Sequence, residues 1–111
     1  MEIWKRAATL SDPLFCLADQ LEKQRLFRFA EQLRGATLSI TNNIAEGSGS
    51  LSDAYFAHFL NMARRSVFEV ANILLLLHRE KYLVSIDITP LLQELEEQSK
   101  MIIAFRRNLK S

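Results

Sequence analysis

Glycine and proline are scarce in this 111-residue chain, with three and two copies, and cysteine occurs once. So few breakers, beside 49% hydrophobic residues, exclude a disordered or loop-rich protein. Cys16 has no partner for a disulfide within the chain and reads as a small core residue in a reducing compartment. Histidine is nearly as rare. His58 and His78 stand far apart, outside any Glu-x-x-His or His-x-x-x-His spacing, so no metal site and no cofactor is expected. Charge of one sign is also missing: 14 Lys+Arg against 13 Asp+Glu leave a net +1. No broad field draws in nucleic acid or a membrane, although a local basic patch remains open. The longest apolar run, Ile73 to Leu77, falls far short of the roughly 20 residues a membrane-spanning helix needs. The N-terminus lacks a continuous apolar stretch of signal-peptide length. A cytoplasmic protein with no membrane contact is the expectation.

What is present is helical period. Apolar residues recur at alternating steps of three and four in four segments. The first stripe runs Ile3, Ala7, Leu10, Leu14, Leu17, Leu21, and the second Leu26, Ala30, Leu33, Thr37, Ile40, Ile44. The third runs Phe56, Leu60, Ala63, Val67, Val70, Leu74, Leu77. The fourth runs Ile88, Leu91, Leu95, Gln98, Ile102, Phe105, Leu109. No segment alternates with period two. The reading is an all-α single domain over 1–111, with helices at about 2–21, 24–47, 51–80 and 89–109. Short connections make consecutive helices antiparallel neighbours, hence an up-and-down four-helix bundle. Thr89-Pro90 is a good start for the last helix, Thr as cap and Pro where an N–H has no partner anyway. Pro13 interrupts the first stripe: either the helix kinks there, or Ser11 or Asp12 caps a fresh one. The unbroken stripe favours the kink.

The stretch "ITNNIAEGSGS", Ile40 to Ser50, departs from this pattern. It lacks the lysine and the preceding strand of a phosphate loop, and Ser48, Ser50 and Ser52 have no nearby histidine to act as base. It therefore reads as a helix junction. Gly47 takes the left-handed conformation that ends the second helix, Ser50 or Ser52 caps the third, and Asp53 adds charge to its first turn. Asn43 and Glu46 are poor choices for a final helical turn. A polar contact joining Asn43 and Glu69 between the second and third helices, with Arg34, Arg64 or Arg65 as cation, would compensate.

A second stripe lies beside the first on the third helix: Tyr55, Phe59, Met62, Ser66, Glu69, Ile73, Leu76. It is rotated by one residue, about 100°. Either this helix touches two neighbours at once, or Tyr55, Phe59, Met62, Ile73 and Leu76 face another subunit. Leaving them in water would forfeit roughly 2 kcal/mol each, a large loss against a total stability of about 5–15 kcal/mol.

The segments "QLRGATLSITNNIAEG" and "FAHFLNMARRSVFEV" resemble the four-helix-bundle family named after 23S ribosomal RNA intervening sequences. The resemblance rests on Gln32, Arg34, Ala36, Ser39, Ile40 and the run Asn43-Ile44-Ala45-Glu46-Gly47. Phe59, Leu60, Ala63, Arg64, Ser66 and Glu69 continue it, and Trp4 fits a tryptophan near the start of the first helix. The resemblance implies a left-handed bundle that assembles as a homopentamer, with no established catalysis. A distant relationship to the accessory protein of diversity-generating retroelements implies association with RNA or with a reverse transcriptase. Three positions depart from the pattern by losing a feature: Gly35 replaces a second arginine, Ser50 a basic residue and Thr41 a proline. Arg65 stands where glycine is usual.

Three functional readings follow. Catalysis has little to work with. RNA association would use Lys5, Arg6, Arg34, Arg64, Arg65, Arg106, Arg107 and Lys110, repeated around a symmetric ring. A scaffold for a protein partner such as a reverse transcriptase, without nucleic-acid contact, would use Phe68 and Leu75, which lie off both stripes.

Overall fold

A computed structural model describes residues 1–109, so the candidate cation Lys110 lies outside the described residues. Four α-helices carry the chain: α1 (Glu2–Lys23), α2 (Phe27–Ser48), α3 (Asp53–Arg79) and α4 (Thr89–Arg107). No strand occurs among the described residues. Each helix packs on its neighbour in sequence, and α1 packs on α4 to close the set; the α2/α3 contact is the most extensive. The molecule measures 45 × 22 × 19 Å.

The four stripes are the core. Every residue of the first is buried, and Leu14, Leu33, Leu60, Leu74, Leu77 and Leu95 are almost completely enclosed. Gln98, the polar member of the fourth stripe, is fully buried as well. Its Nε2 donates to the Ile3 carbonyl at 2.9 Å, tying α4 to the start of α1, while its Oε1 has no partner. Cys16 is exposed, contrary to the core role expected of it. It lies between Leu14 and Leu17, turned away from the stripe that those two residues bury.

Helix ends account for most differences from the sequence reading. Gly47 does not adopt a left-handed conformation; α2 runs through it to Ser48, and Gly49 follows with φ −88°. The left-handed residues are instead Arg25 (φ 65°) and Lys81 (φ 66°). Each ends a helix in the same way. Leu26 N donates to Leu21 O and Arg25 N to Glu22 O after α1; Tyr82 N donates to Leu77 O and Lys81 N to His78 O after α3. This is the Schellman arrangement, with a cation where glycine is usual. The positive charge beside the helix C-terminus offsets part of the backbone cost, and it explains why the first boundary carries no glycine signal. With Arg25 closing α1, α2 begins at Phe27 rather than 24.

Ser52 caps α3 by accepting from Tyr55 N at 3.2 Å, as one of the two expected serines should. Asp87, not Thr89, serves α4: its Oδ1 accepts from the Thr89 N–H at 3.0 Å. That bond, with a second from the Thr89 side chain, holds the Asp87 carboxyl below its ordinary value of 3.8. Stability from this cap is therefore complete above about pH 4 and is lost as pH falls through the lower folded-state value. Asp87→Asn should flatten the acid limb of the stability-versus-pH curve, read by thermal melts in low-salt buffer. Helix α1 runs unbroken across exposed Pro13. Ser11 and Asp12 are therefore not caps, and buried Ser11 donates to the Ala7 carbonyl instead.

Candidate functional site

The α2/α3 seam gathers the residues of the unusual stretch. Gly47 is buried against α3. A Cβ placed on it would lie 2.8 Å from Phe59 Cβ and 2.9 Å from Phe56 Cδ1. Its role is therefore close approach between helices, not a turn. Phe56 continues across to Phe105 of α4, ring centroids 5.3 Å apart, closing this end of the core. Ser48 and Ser50 donate to the Ala45 and Gly47 carbonyls, and Ser52 is the α3 cap. All three serines are engaged in ending one helix and starting the next.

One to two turns along the seam, polar side chains meet. Ser66 Oγ donates to Ser39 Oγ at 2.8 Å, and Asn43 Nδ2 donates to both Ser39 O (2.8 Å) and Ser39 Oγ (2.9 Å). Asn43 and Ser66 are buried. The expected contact between Asn43 and Glu69 is thus replaced by a serine bridge. No cation joins it: Arg34 turns the other way, pairing with Asp19 (2.7 Å) and Glu22 (3.1 Å) on α1. The Asp19 bond, then the Glu22 bond, raise the guanidinium pKa. Glu46 and Glu69 are exposed, and no ion pair holds either among the described residues.

Outside the bridge the seam opens into a groove. Two adjoining concavities of about 660 and 500 Å³ share Ser39 and Glu69. Arg28, Gln32 and Gly35 border the first; Asn43, Met62, Arg65 and Phe68 border the second. Arg65 is exposed here. The resemblance includes Ser39 but gives it no contact, and its bridging role is only weakly legible in the sequence. The signal was its position four before Asn43, on the same helix face.

The five interface candidates divide. Ile73 is only 8% exposed and Phe59 and Met62 are half-buried, so part of the second stripe closes the α3 contact within one chain. Tyr55 (64% exposed) and Leu76 (41%) stay in solvent. The basic candidates do not form one patch. Arg6 pairs with Glu94 across α1/α4, Arg34 lies at α1/α2, and Arg65 at α2/α3. Arg64 lies at α3/α4, donating Nε to Ser99 Oγ at 3.2 Å. Arg106 Nε donates to the Ala57 carbonyl, while Lys5 and Arg107 are exposed.

Among the described residues no three His, Cys, Asp or Glu side chains converge to hold a metal. No helix is long and apolar enough to cross a membrane. His58 rests at the edge of the Phe59 ring, 5.9 Å between centroids. The fold and the seam together define an all-α, four-helix protein whose distinctive residues lock one helix pair. That class has a family: the model for 23S rRNA-intervening sequence proteins matches residues 1–104. The chain belongs to that family, which is not a known enzyme family. No curated protein and no solved structure gives a significant match.

Proposed function

We propose that this protein acts by assembly rather than by catalysis. An up-and-down, left-handed bundle joins copies of itself, five by family resemblance, through the face formed by α2 and α3. The ring then presents repeated cations to structured RNA. The observation that carries this reading is the open α2/α3 groove, bordered by unpaired Glu69 and Arg65 and continued by exposed Tyr55 and Leu76. Opposite charges along one rim suit a neighbouring copy, and the apolar residues supply area that would otherwise stay wet. The antiparallel sense of the last two helices is supported by their pairings. Ala57 meets Arg106 and Arg64 meets Ser99, one series rising as the other falls.

Light scattering on the purified protein tests assembly. A pentamer mass that falls on Tyr55→Glu or Leu76→Glu, with helicity retained, is the expected result. A monomer at every concentration would end the proposal. Glu69→Gln should leave the unfolding of an isolated subunit unchanged, because Glu69 is exposed and no ion pair holds it among the described residues, and should weaken assembly alone. RNA association rests on Lys5, Arg65, Arg107 and, beyond the described residues, Lys110, with Arg6, Arg34, Arg64 and Arg106 partly engaged within the subunit. Its affinity should drop steeply between low and moderate salt as counterions are released. The second reading is a scaffold for a protein partner such as a reverse transcriptase, favoured by Phe68 and Leu75, both more than half exposed. Crosslinked pull-downs that yield protein without RNA would select it.

A further inference from the structure

A second concavity, on the α3/α4 seam, differs in kind from the polar α2/α3 groove. Its floor is apolar, built from Val67, Ala71, Leu92, Leu95 and Ile103, and it encloses about 310 Å³. That volume lies at the lower end of the range for small-molecule sites, about 300–1,000 Å³, which pair apolar walls with a few placed polar groups. The placed group is Arg64. Its Nε is held by Ser99 Oγ at 3.2 Å, and its guanidinium carbon stands 4.9 Å above the centre of the Phe68 ring. Contacts from α4 and from α3 itself restrain the guanidinium. No carboxylate among the described residues pairs with it, so its two Nη groups remain free to donate. Lys100 and Glu96 on the far rim neutralise each other at 3.4 Å.

We infer that the α3/α4 concavity binds a small amphiphilic carboxylate, its alkyl or aryl body on the Val67–Leu95 floor and its carboxylate on Arg64. A fixed, unpaired guanidinium offers a two-pronged fit to a planar carboxylate that a lysine could not. The stacked Phe68 ring limits the rotamer freedom lost when the ligand arrives. The body of the ligand replaces water over apolar surface, which favours a chain of six to ten carbons over a bare anion, on the order of what such a volume holds. This site shares only Phe68 with the α2/α3 groove, and the inference does not depend on assembly.

Isothermal titration of the intact protein with octanoate and with 1-octanol tests it. Octanoate should bind saturably, one per chain, and 1-octanol about tenfold or more weakly, the difference being the charge-assisted bonds to Arg64. Arg64→Gln should bring octanoate down to the level of octanol while leaving octanol unchanged. Ala71→Phe, which fills the floor, should abolish both. Phe68→Ala, at an exposed position with little cost to folding, should weaken octanoate and provides a check should Ala71→Phe fail to fold. No saturable octanoate binding overturns the inference. So does equal affinity for octanoate and octanol, or octanoate binding that is unaffected by Arg64→Gln and Phe68→Ala.

Discussion

Gly47→Val is expected to lower the unfolding free energy by about 3 kcal/mol, at the upper end for inserting methyl groups into a packed core. The new Cβ would start 2.8 Å from Phe59 Cβ, an atom fixed to the α3 backbone that cannot swing aside. Relief requires α2 and α3 to separate, which also strains the Ser39–Ser66 contact farther along the seam. Gly47→Ala meets the same contact but gains roughly 1 kcal/mol of helix propensity, so its net loss should be smaller. Gly35 is the control. It lies in the same helix, and an added Cβ there finds nothing within 4 Å. Gly35→Ala should therefore stabilise by up to about 1 kcal/mol. Urea unfolding of the three variants checks the set. A Gly47→Val protein as stable as wild type would contradict the close approach.

Gln98→Glu should be at least as damaging, about 3–5 kcal/mol at neutral pH, because it places a carboxylate in a completely buried position. Gln98 is completely buried, and its Nε2 bond to the Ile3 carbonyl would become repulsion between two oxygens when the residue is ionised. Burial raises the folded-state pKa of such a carboxyl above its unfolded value of about 4.3. The loss is therefore absent below about pH 4, grows as pH rises from the unfolded value towards the raised folded-state pKa, and is constant above that. Gln98→Leu is the partner experiment. It forfeits one hydrogen bond but also removes the unpartnered Oε1, so its effect should be within about 1 kcal/mol of zero. Thermal melts at pH 4 and pH 7.5 distinguish the two: the glutamate variant should recover on acidification and the leucine variant should not change.

Periodicity made the architecture legible. A repeat at three and four steps has one geometric meaning, and four uninterrupted instances of it leave few alternatives for a chain of this size. The buried members of those stripes follow directly, Gln98 included. Helix termini were less legible because several chemistries close a helix equally well. Glycine advertises a left-handed position; Arg25 and Lys81 occupy one without advertising it, since their charge near a helix C-terminus is favourable in either conformation. Gly47 carried the right signal with the wrong cause. A glycine that permits a turn and one that permits contact look alike until a neighbour such as Phe59 is placed.

The polar site was half legible. Asn43 and Ser66 could be assigned to the inner seam from spacing, but the choice of partner could not. A serine hydroxyl at position 39 bridges them over a short distance, whereas the Glu69 carboxylate, one turn beyond Ser66, points outward. Which seam each arginine serves depends on where long side chains travel after leaving the backbone. Arg64 and Arg65 are adjacent in sequence yet serve different seams of α3, a turn of about 100° apart.

Each seam between touching helices carries its own polar clasp: Arg34 with Asp19 and Glu22, Ser66 with Ser39, Arg64 with Ser99, Gln98 with the Ile3 carbonyl. Leucine-rich interiors alone are forgiving of sliding, since one leucine replaces another after a shift of one turn, about 5.4 Å. At the buried clasps, those of Ser66 and Gln98, such a shift would leave a donor facing hydrocarbon. The clasps work as index marks on four rulers, so the vertical alignment of the rods is written in a handful of polar atoms rather than in the grease between them.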